Sequence, residues 1–278
     1  MNKKNESFWS GIVLDILSES EIRVTPGVLA KEISKEAGVS LLEARAVIRR
    51  LTDQGEISYN YTFGSTYIEF SFARPVRVTD HFVLKPSGTI VTENNKRDIE
   101  IIIEPGISFG SGRHPTTRLS LMAIDNAFFK QKLFTPDKHL KAADIGTGSG
   151  VLAIAALKAG ATECLAIDTD LNAIAEAEKN ITLNKLDHRI RVTGVSIEKR
   201  QEKFDLICAN LRFPTLKGLL PLFIDITDKD SVLILSGIRA WETKELVNLC
   251  SDRGFTCLWQ KDDKQWSGLI LQKFLTAV

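Results

Sequence analysis

A glycine-rich loop between a strand-like run and a helical run is the part of this sequence that most strongly suggests chemistry. Asp144 is followed by Gly146, Gly148 and Gly150 at the point where the apolar run ends and the helical run begins. Glycines there let the backbone turn sharply and let a ligand approach it closely. Asp168 ends the next strand-like run, where a carboxylate can accept hydrogen bonds from ribose hydroxyls. The spacing therefore predicts a site for a nucleotide-like cofactor.

Two cofactors compete for this loop. A dinucleotide site requires a third glycine at the position that Val151 occupies. The acid that precedes the loop, Asp144, would repel a pyrophosphate and attract the sulfonium and ammonium groups of S-adenosylmethionine. A phosphate-binding loop is not supported, because no Gly-Lys-Ser/Thr follows. The loop and its two acids favour S-adenosylmethionine over NAD, with a tight turn that holds no ligand as the plainer alternative.

Motifs on both sides of the loop make the pattern more specific. The run FGSGRHPTT precedes the loop, and ANLR and LSGI follow it. Together with DIGTGSGVLAIAA and AIDTD, in this order, they resemble the PrmA-type methyltransferases of large-subunit ribosomal protein 11. The resemblance covers about residues 80–278 and implies an S-adenosylmethionine-dependent enzyme. It implies that Asn210 faces both methyl donor and acceptor, and that Phe109 and Gly110 belong to a segment over the methionine end. The predicted cofactor-binding residues are Phe109, Gly110, Thr117, Asp144, Gly146, Gly148, Gly150, Asp168 and Asn210.

The acceptor side of the site is predicted from the turn that begins at Asn210. The run from Asn210 to Phe213 resembles the N-x-x-F/Y turn of enzymes that methylate amide or amine nitrogen, in which the Asn oxygen accepts a hydrogen bond from the target N–H. Phe213 is then either a wall of the acceptor pocket or a core phenylalanine before a proline. His114 either pins its turn or takes part in acid–base chemistry in the same pocket. Arg212 adds a positive charge that disfavours a protonated lysine. No residues show metal-ligand spacing, so we expect no metal.

The elements that must position these residues read as an α/β domain. From about residue 115, short apolar runs alternate with helical stretches such as 151–159 and 171–184, which is typical of βαβ units and a mostly parallel sheet. The tail reads as a closing hairpin. The resemblance implies the Rossmann-like class I methyltransferase fold, with seven strands, over residues 111–278. Residues 76–110 read as a β-rich connector packed on that domain.

The first 75 residues have a different pattern. Three helical segments precede a hairpin, with Thr25 and Ser40 as helix N-caps and Glu43 completing a capping box. Leu41 is expected on the apolar face of the third helix, together with Ala44, Val47, Ile48 and Leu51. This order is typical of a winged helix-turn-helix domain, whereas the PrmA-type enzymes carry a small α/β module there. With 9 basic and 10 acidic residues in this segment, DNA binding is possible but not favoured.

Composition excludes several other classes of protein. The chain has 278 residues, a net charge of +1 and 44% hydrophobic residues, unlike disordered or coiled-coil chains. We expect no signal peptide, no membrane segment, a cytoplasmic location and four buried, reduced cysteines; the oligomeric state is not indicated. The leading hypothesis is a protein N-methyltransferase that acts on a lysine or terminal amine of a ribosomal protein. The alternatives are methylation of a small molecule or another protein, and a DNA-binding regulator that senses S-adenosylmethionine.

Overall fold

The computed structural model describes residues 6–20, 23–62, 64–91, 95–104, 114–135, 138–195 and 202–274. The chain divides into two units, Met1–Arg74 and Pro75–Val278. Each unit contains a hydrophobic cluster of its own. The two units are therefore described separately.

The first unit consists of three helices and an antiparallel hairpin. Thr25 caps the second helix, and Ser40 and Glu43 form the predicted capping box on the third. Leu41, the first residue of the third helix, has the spacing of the predicted apolar face but is 45% exposed, so the buried part of that face begins at Ala44. The elements are α1 (Glu6–Glu19), α2 (Pro26–Ala37), α3 (Leu41–Asp53), β1 (Ile57–Thr62) and β2 (Ser65–Phe70).

The second unit begins with a small sheet of three strands. They are β3 (Val76–Arg77), β4 (Phe82–Lys85) and β5 (Ile99–Ile102). β4 pairs with β3 in the antiparallel sense and with β5 in the parallel sense. This agrees with the β-rich segment expected before the α/β pattern.

The rest of the second unit is an α/β fold around a seven-stranded, mostly parallel sheet in the order β11-β12-β10-β9-β6-β7-β8. β12 runs antiparallel to both of its neighbours, and the other pairs are parallel. A π-helical turn, Asn126–Lys130, continues α4. The elements are α4 (Pro115–Asp125), β6 (Lys141–Ile145), α5 (Val151–Ala159), β7 (Glu163–Ile167), α6 (Leu171–Leu183), β8 (Ile190–Thr193), β9 (Phe204–Asn210), α7 (Phe213–Asp225), β10 (Thr227–Arg239), α8 (Thr243–Ser251), β11 (Phe255–Asp263) and β12 (Trp266–Lys273).

The strand order reverses direction between β6 and β9. From β6 the chain proceeds to β7 and β8 on one side, and then returns to place β9 and β10 on the other side of β6. In open α/β sheets, ligands bind outside the carboxyl ends of the strands at such a switch point. The fold therefore directs attention to the loops that follow β6 and β9.

The apolar helix α5 and three of the four cysteines are buried as expected from the sequence, and Cys257 is the exception. α5 is buried on all sides from Val151 to Leu157, as expected for an apolar helix against a sheet. Cys164, Cys208 and Cys250 are buried free thiols, whereas Cys257 is only half-buried. Within the described part of the chain, every helix is too short or too polar to cross a bilayer.

Candidate functional site

Three of the predicted site residues form a row at the carboxyl edge of the sheet. Ile145 pairs with Ile167 on one side and with Ala209 on the other. The residues that come next in the three strands are Gly146, Asp168 and Asn210. Since neighbouring strands lie ~4.8 Å apart, the row is roughly 10 Å long. The glycine-rich loop is thus flanked by Asp168 on one side and by Asn210 on the other, at the switch point.

The glycine-rich loop is held by backbone hydrogen bonds and by a lack of space for side chains. The N–H groups of Gly146 and Thr147 both donate to the carbonyl of Ile167, at 2.9 Å. Gly146 has a φ of +74°, and a Cβ there would lie 2.5 Å from Cδ2 of Leu211. A glycine is required at this position for both reasons.

Asp144 lies underneath the loop and is 1% exposed. Its Oδ2 accepts from Thr147 Oγ1 at 2.7 Å and from the N–H of Ala153, in the first turn of α5, at 3.0 Å. Burial raises the pKa of Asp144 to about 6, although these two hydrogen bonds oppose the rise. Oδ1 of Asp144 has no hydrogen-bond partner among the described residues. The carboxyl therefore shapes the loop and keeps one oxygen available.

Asp168 is fixed at the end of β7 by two backbone donors. Its Oδ2 accepts from the N–H of Gly148 at 2.9 Å, and its Oδ1 accepts from the N–H of Asp170 at 3.1 Å. The residue is only half-buried. Because each carboxylate oxygen has two lone pairs, both oxygens can accept a further hydrogen bond from a hydroxyl group.

The turn after Asn210 is wedged against the loop. Leu211 donates its N–H to the carbonyl of Ser236 at 3.1 Å. Its side chain faces Gly146, and a Cβ on Gly237 would lie 2.5 Å from its carbonyl oxygen. Asn210 itself is half-buried and pairs with Ser236. Gly146 and Gly237 thus allow Leu211 to pack this closely, and the packing of Leu211 fixes the backbone position of the neighbouring Asn210.

Phe213 and Arg212 lie where this turn enters α7. Phe213 is the first residue of α7 and packs, half-buried, against the hydrophobic cluster of the second unit. Lys217 Nζ lies 5.8 Å from the centre of its ring. This packing agrees with the core interpretation of Phe213, and its part in an acceptor pocket remains a prediction. Arg212 is exposed at the N-cap position.

His114 and Thr117 begin α4. Nδ1 of His114 accepts from the N–H of Thr116 at 3.3 Å, so the imidazole caps this helix. Burial, together with the charges of Arg239 and Lys264, lowers the pKa of His114 to about 4. The ring is therefore neutral at pH 7, as an accepting Nδ1 requires.

These contacts support the structural interpretation of His114. Thr117 is fully buried, and its Oγ1 has no hydrogen-bond partner among the described residues. Phe109 and Gly110 lie outside the described residues.

Sequence reasoning missed a tryptophan beside this site. The first residue of β12, Trp266, is 3% exposed and lies edge-on to His114, with ring centres 5.3 Å apart. Arg239 Cζ lies 3.9 Å and Arg212 Cζ 5.6 Å from the centre of the indole ring. These distances fall within cation–π range. Trp266 joins the beginning of α4, the end of β10 and the Asn210 turn, which are far apart in sequence.

Two buried asparagines were also missed, Asn180 in α6 and Asn184 at its C-cap. Asn180 Nδ2 donates to the carbonyl of Ser149 in the glycine-rich loop at 2.8 Å, and its Oδ1 accepts from the N–H of Glu104 at 2.9 Å. Asn184, one turn later, pairs with the N–H and carbonyl of Ile102. Polar residues on the apolar face of an amphipathic helix were the signal, since Ala173, Ala177 and Ile181 mark that face.

Comparison with known proteins assigns the second unit to a family. The model of the family described as ribosomal protein L11 methyltransferase (PrmA) matches residues 70–274. The chain belongs to the PrmA family. This confirms the resemblance found in the sequence, and the match leaves most of the first unit of this PrmA-family chain outside it.

Individual relatives agree with this assignment. Proteins named ribosomal protein L11 methyltransferase include one from Geotalea uraniireducens, 33% identical over 71% of this chain and 64% of that protein, and one from Acetivibrio thermocellus, 32% identical over 72% and 61%. The chain thus spans less than two thirds of these two relatives. A crystal structure of a ribosomal protein L11 methylase from Lactobacillus delbrueckii subsp. bulgaricus superposes with a TM-score of 0.64 at 30% identity, covering 73% of this chain and all of that one.

Metal ligation has no support in the described residues. Among them, no group of three or more His, Cys, Asp or Glu side chains could hold a metal ion.

Proposed function

We propose that this PrmA-family chain is an S-adenosylmethionine-dependent methyltransferase with a protein nitrogen as its acceptor. The observation that carries the proposal is the row formed by Asp168, Gly146 and Asn210 at the switch point of the sheet. Family membership supports the same activity. The ribosomal protein named in the relatives is the first candidate substrate, and a cytoplasmic location goes with it as a prediction.

The described residues fit the cofactor. Gly146 leaves a space that a Cβ would fill, so a ligand can lie directly on the backbone. Asp144 Oδ1 and Thr117 Oγ1 are buried without hydrogen-bond partners among the described residues, and such groups are costly unless a ligand or water meets them. Asp168 is held with lone pairs available for ribose hydroxyls. When bound, S-adenosylmethionine supplies an activated methyl group.

The remaining work of catalysis is positioning and desolvation, and Asn210 is the residue suited to it. Its carbonyl oxygen can accept a hydrogen bond from the acceptor N–H and direct the nitrogen lone pair toward the methyl group. Holding two reactants in line contributes ~7–11 kcal/mol in well-oriented systems. A lysine acceptor must first lose a proton from a group with a reference pKa of about 10.4, and desolvation at a closed site lowers that pKa.

The charge around Trp266 favours a second candidate function, the methylation of another protein or of a small molecule. Arg212, exposed beside the Asn210 turn, and Arg239, buried beneath it, both lie within 6 Å of this ring, so a protonated amine that approaches the turn is repelled. An acceptor that arrives neutral, or next to its own carboxylate, avoids that repulsion. The first unit supports the same alternative, because we propose that it is a winged-helix domain and not the module that PrmA-type enzymes carry. DNA binding by that domain, in a regulator that senses the cofactor, is a weaker possibility.

The test is methyl transfer to ribosomal proteins. The purified chain, radiolabelled S-adenosylmethionine and undermethylated large ribosomal subunits are incubated and separated on a denaturing gel. We expect one labelled band at the size of ribosomal protein 11. Asn210→Ala should reduce the rate about a hundredfold, the size of effect that misplacement of a reactant causes.

The matched measurement is cofactor affinity. Asn210→Ala should weaken S-adenosylhomocysteine binding much less than it slows methyl transfer, because the substitution leaves the glycine-rich loop and Asp168 intact. Full activity of this variant would remove Asn210 from the mechanism. Cofactor binding without any labelled protein would move the assignment to a small-molecule acceptor or a sensor.

A further inference from the structure

A bridge of side-chain hydrogen bonds connects the glycine-rich loop to the small sheet through α6. Asn180 lies at its centre and is 1% exposed. Its amide uses both ends: Nδ2 donates to the carbonyl of Ser149, and Oδ1 accepts from the N–H of Glu104, just after β5. One side chain therefore fixes a loop residue and a residue of the preceding sheet at the same time.

Where the glycine-rich loop faces α6, its other close contact is apolar. Gly150 approaches α6 so closely that a Cβ would lie 3.3 Å from both Cα and Cβ of Ala177. Ala177 offers only van der Waals contact there. The carbonyl of Ser149 points at the Asn180 amide, and Ser149 Oγ has no hydrogen-bond partner among the described residues. The Ser149–Gly150 peptide is thus held at both ends: the N–H of Gly150 donates to the carbonyl of Thr147 within the loop at 2.9 Å, and the carbonyl of Ser149 accepts from Asn180 outside it.

We propose that Asn180 is a positioning residue for the cofactor, acting through the Ser149 carbonyl to hold the glycine-rich loop in its ligand-binding shape. The inference rests on the proposed function, since it assumes that the loop binds S-adenosylmethionine. Loss of the amide donor frees the Ser149 carbonyl, while the glycines and the hydrogen bonds of the loop to Ile167 and Asp168 stay in place. Cofactor affinity is then lost before the fold is.

Asn184 provides a matched control. It lies one helical turn from Asn180 and pairs with Ile102 through both the N–H and the carbonyl, so it ties the same helix to the same strand. It has no hydrogen bond to the glycine-rich loop among the contacts of the described residues. Replacing either asparagine with aspartate removes the N–H donor and places a carboxylate oxygen next to a carbonyl oxygen. The other carboxylate oxygen can still accept from the N–H of Glu104 or of Ile102. Asn180→Asp loses the bond to the Ser149 carbonyl in the loop, whereas Asn184→Asp loses the bonds to the carbonyls of Ile102 and of Asn180, which lie outside the loop.

The experiment measures the dissociation constant of S-adenosylhomocysteine by calorimetry for the wild type, Asn180→Asp and Asn184→Asp, with thermal unfolding of each. We expect a loss of at least tenfold in affinity for Asn180→Asp and a change of less than threefold for Asn184→Asp at a similar Tm. Asn180→Ala removes the donor without introducing a charge and should also weaken binding, which covers the case in which Asn180→Asp does not fold.

The possible outcomes distinguish a failure of the positioning role of Asn180 from a failure of the proposed methyltransferase function. Equal losses in the Asn180 and Asn184 variants would mean a purely structural role and would overturn the inference. Wild-type affinity in a folded Asn180→Asp or Asn180→Ala would do the same. If the wild type itself does not bind S-adenosylhomocysteine, the proposed function fails, and the inference fails with it.

Discussion

Asp144 orders the glycine-rich loop through its hydrogen bonds and, because it is buried, makes the stability of the fold depend on pH. The carboxyl organises Thr147 and the first turn of α5, yet it is almost completely buried, and burial raises its pKa to about 6. A group whose pKa is higher in the folded state than in the unfolded chain holds its proton more tightly when folded. Stability then falls as pH rises from the unfolded pKa to the folded one.

Asp144→Asn removes this pH dependence. Between pH 4 and pH 6 the wild type loses stability because the carboxyl ionises in the unfolded chain but keeps its proton when buried, at about 1.4 kcal/mol per pKa unit of difference, whereas an amide has no proton to lose. We expect the free energy of unfolding of the variant relative to the wild type to rise over that range and to level off above about pH 7. Urea denaturation at a series of pH values measures it. A difference that is constant with pH would contradict the prediction.

Asp168 and Asp170 are two carboxylates at the carboxyl edge of the sheet, and they have different roles. Asp168 contacts the glycine-rich loop, whereas Asp170 caps α6 by accepting from the N–H of Asn172 at 2.9 Å. Asp168→Ala should weaken S-adenosylhomocysteine binding by more than tenfold, because it removes the proposed ribose acceptor and the partner of Gly148. Asp170→Ala should cost about 1 kcal/mol of stability with little change in affinity. Calorimetry on both variants compares them, and unchanged binding by Asp168→Ala would rule out this role.

The sequence was informative about residues whose roles are local. The capping roles of Thr25 and Ser40 depend on residues three positions away, and both were predicted. Asn180 and Trp266 were missed, because their partners are backbone or ring atoms brought together only by the sheet. Leu41 is exposed although it shares the spacing of the buried residues of α3, since periodicity alone does not show where along the helix burial begins.

At the scale of elements, the site depends on how closely the β9–α7 turn approaches the end of β10. Gly237 has a φ of +83°, and a Cβ on it would lie 2.5 Å from the carbonyl oxygen of Leu211 and 2.8 Å from its C and N atoms. Backbone atoms cannot move aside as a flexible side chain can. The position of Asn210 therefore depends on the β-bulge between Ser236 and Ile238 in β10.

Gly237→Ala should reduce both stability and activity. A left-handed conformation costs a non-glycine residue roughly 1–2 kcal/mol, and the clash with Leu211 adds to it. The matched control is Gly218→Ala in α7, where a Cβ meets nothing within 4 Å. That change should stabilise the helix by about 0.5–1 kcal/mol. Thermal unfolding and methyl-transfer rates measure both, and an active, fully stable Gly237→Ala would contradict this account of the turn.

Element types were easier to predict than element order. The strand-like runs and the helices 151–159 and 171–184 agree closely with β6 to β10, α5 and α6. The placement of β9 beside β6 carries no local signal, because it depends on which hydrophobic edges meet in the folded sheet. α7 begins at Phe213, directly after the Asn210 turn, and was not predicted, since Pro214 and Pro221 obscure its helical pattern.

At the scale of the whole chain, each unit carries its own core. Leu29 is fully buried in the cluster of the first unit, and the predicted cofactor residues all belong to the second. Leu29→Ala should cost 2–5 kcal/mol in the first unit, the usual range for such a cavity. The affinity for S-adenosylhomocysteine should stay within twofold. Hydrogen exchange locates the loss of stability, and calorimetry checks the affinity. A large fall in affinity would mean that the first unit takes part in cofactor binding.

The switch point between β6 and β9 also has a consequence for how the chain folds. Ile145 and Ala209 are neighbours in the sheet, but two helices and two strands separate them along the chain. Contacts between segments so distant in sequence require the closure of a long loop and slow the rate of folding. The crevice exists only after that closure, so a nascent chain that has assembled β6, α5 and β7 already displays the glycine-rich loop without its second wall. The competence to bind a ligand is then acquired late, at the step that brings β9 against β6.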